Sequence, residues 1–143
     1  MHSDINDIID IPIIDIHTHI GHLPGVVGDV TTAEDLVYIC QHEGVTYMLA
    51  SSASATSIGQ HIATLETIEM VKNYGDKLGG MLWINPHDAT WTEDIGPAES
   101  HHFYGIKIHP VLDHYAVSHA ALDAVFACAR EHHWPILTHT DVD

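Results

Sequence analysis

Two histidines one residue apart, His17-Thr18-His19, follow the apolar run Ile11-Pro12-Ile13-Ile14-Asp15-Ile16, and a third, His139, closes another run, Pro135-Ile136-Leu137-Thr138. In an extended chain successive side chains point to opposite faces, so His17 and His19 share a face, about 7 Å apart along the strand. Imidazoles so placed can converge on one divalent ion, and His139 at another strand end can complete a triangle of nitrogen ligands. A fourth position left to water supports metal-assisted hydrolysis, because the ion lowers that water's pKa toward neutrality. The same alternation puts Asp15 on the face of His17 and His19.

A third run, Tyr104-Gly105-Ile106-Lys107-Ile108-His109-Pro110, presents Lys107 and His109 on one face. Lys107 is one of only four cations in the chain, and an unpaired ammonium among β-branched residues is costly, so it requires a partner. A substrate carboxylate would serve, and so would an ion pair with Asp15 or another carboxylate. His109 has two readings, a substrate-touching group and a satisfied structural histidine.

These residues need strands to hold them, and the chain supplies a regular alternation. Ile11–Ile16 reads as a buried strand running into a loop at His17–Gly21, and the loop continues through Pro24, Gly25 and Gly28. Thr31 and Glu34 form a capping-box pattern ahead of a helix through Leu36, Ile39 and Cys40 that ends at Gly44. A strand at 45–50, a helix from Ile58 to about Gly75 and a strand at 78–84 come next. The stretch 87–102 is irregular, with Gly96-Pro97 expected to interrupt a helix. The strand at 104–110, a helix started near Ser118 and a strand at 135–140 complete the order.

Buried strands alternating with helices indicate a parallel sheet, doubly wound or barrel. A dinucleotide fold would carry a glycine fingerprint after its first strand, where this chain has His-Thr-His, so the barrel is favoured. Chemistry in such barrels sits at the C-terminal strand ends, where His17, His19, Lys107, His109 and His139 all fall.

Composition narrows the partners. The chain has 143 residues, with Lys+Arg 4 against Asp+Glu 20 for a net charge of −16, so it lacks the basic stripe that binds nucleic acid or anionic membrane. No stretch approaches the roughly 18 apolar residues of a membrane span, and no signal-peptide pattern opens the chain. Cys40 and Cys128 lie apart in helical patterns, as small buried groups do in a reducing cytoplasm. Among 15 histidines, His22, His101, His102, His132 and His133 have loop or helix-end settings, and Met48, Met70, Met81 and Trp83 fit core positions.

Ile14-Asp15-Ile16-His17-Thr18-His19 with Gly21 resembles the first-strand H-x-H motif of the amidohydrolase superfamily of metal-dependent TIM-barrel hydrolases. Gly105–Pro110 and Pro135–Thr140 are similar to the fourth and fifth strands of its amidohydrolase-related branch, which includes decarboxylases. The resemblance implies that His17, His19 and His139 bind a divalent metal, zinc first and manganese as the alternative; Lys107 and His109, from their placement on one face of their strand, are the catalytic candidates. It adds one more role for Lys107, a carboxylated lysine bridging two metals. The family's sixth-strand histidine and eighth-strand aspartate have no counterpart, and Asp141 and Asp143 follow His139 too closely to replace the latter.

The expectation is therefore one unit over 1–143, a partial (β/α)8 TIM-type barrel of about five parallel strands, where a full barrel takes about 250 residues. Its expected activity is hydrolysis of an amide, ester or lactone of a small-molecule substrate, incomplete in this chain alone, which should show little turnover by itself. A decarboxylase and a non-enzymatic metal-binding half-barrel are the alternatives. As partners we expect a homo-oligomer or a missing C-terminal half, because an open parallel sheet exposes both edges.

Overall fold

The structure, a computed structural model, describes residues 11–23 and 30–140; Pro24, Gly25, Gly28, Asp141 and Asp143 lie outside them. Five strands, β1 (Ile14–Ile20), β2 (Tyr47–Ser52), β3 (Leu78–Trp83), β4 (Phe103–Ile108) and β5 (Ile136–Thr138), form one sheet in the order β1-β2-β3-β4-β5. Every neighbouring pair is parallel. This unbroken sequential order is that of a barrel sector; a doubly wound sheet would reverse at a switch point.

The helices α1 (Ala33–His42), α2 (Ala55–Ile58), α3 (Gln60–Tyr74), α4 (Ile95–Ser100) and α5 (Leu122–Glu131), with a 3₁₀ helix at Ala89–Asp94, fill the connections. They cover one face of the sheet. Leu36, Cys40, Met70 and Val71 pack there with Met48, Ala50 and Leu78, while Trp91, Ala98, Leu122, Val125 and Ala129 pack with Leu82, Ile84, Ile106 and Ile108. The other, inner face is open.

Several local expectations shift for identifiable reasons. The capping box belongs to Thr32 and Asp35, one residue later than Thr31 and Glu34, because the Thr31 backbone is paired with Gly21 in an isolated bridge. Pro97 lies inside α4 and does not interrupt it. It occupies the first turn, where the lost N–H has no intrahelical acceptor. Turns occupy 117–121, so α5 starts at Leu122 and not near Ser118.

The first strand departs most. It does not give way to a loop at His17 but continues through Ile20, and it is not buried: Ile14 and Ile16 are 56% and 54% exposed. In its register Asp15 pairs with Met48 and Thr18 with Ala50, so Ile16 and His17 together oppose Leu49. This bulge resets the alternation. Asp15 consequently lies on the helix-covered side with Met48, away from His17 and His19, and its Oδ1 accepts the His17 backbone N–H at 2.9 Å across the bulge.

Candidate active site

The inner face has two storeys. Below, toward the strand N-termini, Ile14, Ile16, Tyr47, Leu49 and Tyr104 line an apolar cavity of about 420 Å³. Above, at the strand C-termini, β1 contributes His17 and His19, β2 Ser51, β3 Trp83, β4 Lys107 with His109 just beyond it, and the end of β5 leads into His139. Pairing of His19 with Ser51 and of Trp83 with Lys107 sets these side chains level.

All five candidates meet there. Lys107 is completely buried, and its Nζ lies 2.9 Å from His17 Nε2. The ion pair with Asp15, one of the readings of Lys107, does not form, because the bulge carries Asp15 to the other face; among the described residues no carboxylate pairs with Lys107. The His17 and His19 rings stand edge to face with centroids 5.3 Å apart, and Ser51 Oγ lies 3.2 Å from His19 Nδ1. His109 Nδ1 accepts the Leu112 backbone N–H, which in the neutral ring leaves the proton on Nε2. His109 stacks on His139 at 4.1 Å and 12°, and on Trp83 at 5.5 Å and 10°.

Electrostatically the site favours neutral nitrogen. Burial, reinforced by Lys107 and His17, pushes His19 down to about 4. Burial, Lys107 and His139 also lower His17. Burial alone brings Lys107 down to about 8. At neutral pH His19 is unprotonated and rich in lone pairs, while Lys107 supplies positive charge inside a strongly acidic chain.

This donor chemistry suits a borderline metal such as zinc, since neutral imidazoles are its ordinary ligands. The arrangement is not a finished ligand set. Among the described residues no group of three His, Cys, Asp or Glu side chains stands ready to hold an ion; His17 Nε2 faces Lys107, and His139 is stacked on His109. His22 is exposed, and His132 contacts Glu99 and His101 the Pro97 carbonyl.

Trp83, Ser51 and Asp113 were not legible as site residues. Trp83 Nε1 donates to Asp113 Oδ2 at 3.0 Å, and its ring also lies 6.0 Å from that of His19. The available signal was positional, since Trp83 closes its strand as Lys107 nears the end of the next one.

Neither a family model nor a curated protein sequence matches this chain. Among solved structures, it resembles an amidohydrolase II with a TM-score of 0.70 and 16% identity, over 91% of this chain and 51% of that one. It is similar to a probable 2-pyrone-4,6-dicarboxylic acid hydrolase from Acinetobacter baumannii with citric acid bound, at 0.65 and 12%, over 91% and 50%. The 4-oxalomesaconate hydratase LigJ from Rhodopseudomonas palustris gives 0.61 and 14%, over 90% and 52%. At these identities the likeness is one of fold, that of a partial TIM barrel. The chain spans about half the length of these structures.

Proposed function

We propose that this chain supplies the first five strands of a metal-dependent hydrolase of the amidohydrolase superfamily, acting on an amide, ester or lactone of a small molecule. The observation that carries the reading is the convergence of His17, His19, Lys107, His109 and His139 at one end of a sequentially ordered parallel sheet. His17, His19 and His139 would hold the ion, zinc or else manganese, which supplies Lewis acidity and lowers the pKa of water. Lys107, the cation buried on this face, would take a substrate carboxylate; the names of two similar structures specify carboxylated compounds, a dicarboxylic acid and citric acid in one and oxalomesaconate in the other. His109, just beyond Lys107 at the end of β4, would touch substrate.

The remaining strands of the eight in such a barrel must come from further polypeptide, either a C-terminal half or another copy of the chain. The charge and the two free cysteines, Cys40 and Cys128, suit a reducing cytoplasm. Among the described residues no helix is long and apolar enough to cross a membrane.

Metal analysis after dialysis tests the ligand set. The wild-type chain should retain zinc or manganese, and His17→Ala with His19→Ala should release it; equal metal in the double variant would sink the reading. A second reading, metal binding without turnover, is favoured by one observation: the described strand residues on the inner face include no Asp or Glu to take a proton. Ester and amide turnover with added metal, measured beside metal content, separates the two, and a carboxylate-losing product would indicate decarboxylation.

A further inference from the structure

We infer that Asp113 is a positioning residue for His139, acting through Trp83 and His109. The inference rests on the metal reading above for its functional meaning and on geometry alone for its structural one. Three rings from three successive strand ends form a column: Trp83 lies parallel to His109 at 10°, and His109 to His139 at 12°. Hydrogen bonds anchor the first two. The indole N–H of Trp83 donates to Asp113 Oδ2 at 3.0 Å, and Leu112 N–H donates to His109 Nδ1 at 3.2 Å. Asp113 N–H in turn donates to the His109 carbonyl at 3.0 Å, so one short turn after β4 holds both inner rings.

Among the described residues the third ring has no such anchor. Among the described residues no hydrogen bond reaches either ring nitrogen of His139, so its plane is set by the face of His109 beneath it. Histidines that bind metals ordinarily have their orientation fixed by a hydrogen bond from the other ring nitrogen, and losing that support typically weakens metal affinity about 10- to 100-fold. Here stacking replaces the hydrogen bond. The carboxylate that fixes the indole rotation thereby fixes the column on which His139 rests.

The chain supplies two ways to break the column at its base. Asp113→Ala removes the acceptor and Trp83→Phe removes the donor while keeping a stacked ring, whereas Asp113→Asn retains an oxygen acceptor. In two-dimensional NMR of the full-length, metal-free chain, the His139 ring protons should move toward unstacked values in the Ala and Phe variants and stay near wild type in the Asn variant. Zinc affinity should follow, falling about 10-fold or more in the first two. The double variant Asp113→Ala with Trp83→Phe should be no worse than either single, as for two ends of one interaction. Unchanged His139 resonances in Asp113→Ala, or multiplying effects in the double variant, would overturn the inference. His139 shifts as described in the variants, with no zinc taken up by the wild-type chain, would support the column and defeat the metal reading instead.

Discussion

At the residue scale, Lys107 and His19 carry the pH dependence. Burial lowers the folded-state pKa of Lys107 from 10.5 to about 8, so between these values the unfolded chain holds a proton that the folded chain has released. Stability should therefore rise with pH across that window. In Lys107→Met this rise should vanish, and the variant should be the more stable at pH 7, because an apolar side chain avoids the desolvation cost of a buried ammonium; chemical denaturation at several pH values measures both effects. For His19, lowered from 6.5 to about 4, the sign gives stability that is lost as pH falls through that range. His19→Gln should flatten the loss. Both groups were visible in the sequence because strand alternation and strand ends are local properties. Trp83 was not, since a tryptophan in an apolar run reads as core and its partner Asp113 lies thirty residues on. Asp15 was misplaced because one bulge inverts a two-residue period and no feature of Ile16 or His17 announces it.

At the element scale, backbone proximity governs what β3 tolerates. A Cβ on Gly80 would meet the Phe103 ring at 2.5 Å within the packed, helix-covered face, whereas one on Gly79 would meet the ends of Leu49 and Tyr104 at 2.8 Å beside the open floor. Gly80→Ala should lower stability by about 1–3 kcal/mol, the usual cost of overpacking, and Gly79→Ala by less. Thermal melts of the two variants compare them directly, and equal losses would mean that the floor is as rigid as the packed face. Helix starts followed their capping chemistry to within a residue for α1, because a side-chain cap is written in adjacent residues. The start of α5 was less legible: its N-cap is Ala121, which offers no side-chain acceptor to mark the boundary.

At the scale of the whole molecule, the open inner face dominates. Ile11, Ile13, Ile14 and Ile16 are each more than half exposed, Tyr104 nearly so, and among the described residues no further strand pairs with the outer edges of β1 and β5. Exposed apolar surface and free strand edges both invite association. Native mass spectrometry should show the chain as an oligomer, or as a monomer that a polypeptide bearing further barrel strands captures. Ile14→Lys with Ile16→Lys should suppress self-association and hydrophobic-dye uptake; an uncaptured, dispersed wild-type monomer that ignores the dye would contradict this. The half-size of the barrel was legible from the order of motifs, but the uncovered floor was not, because an apolar strand looks the same in sequence whether or not another layer covers it.

The strand order has a kinetic consequence. Each strand pairs with its immediate predecessor in the chain, so every pairing spans one helical crossover and none waits for a more distant segment. A sheet of this kind can be laid down in the direction of synthesis, each strand–helix unit docking on the last as it leaves the ribosome. β4 and β5, which carry Lys107 and lead into His109 and His139, would then be added to a template already formed by β1 to β3. The histidine pair of β1 would wait longest, in place but incomplete, for the groups that give it chemistry.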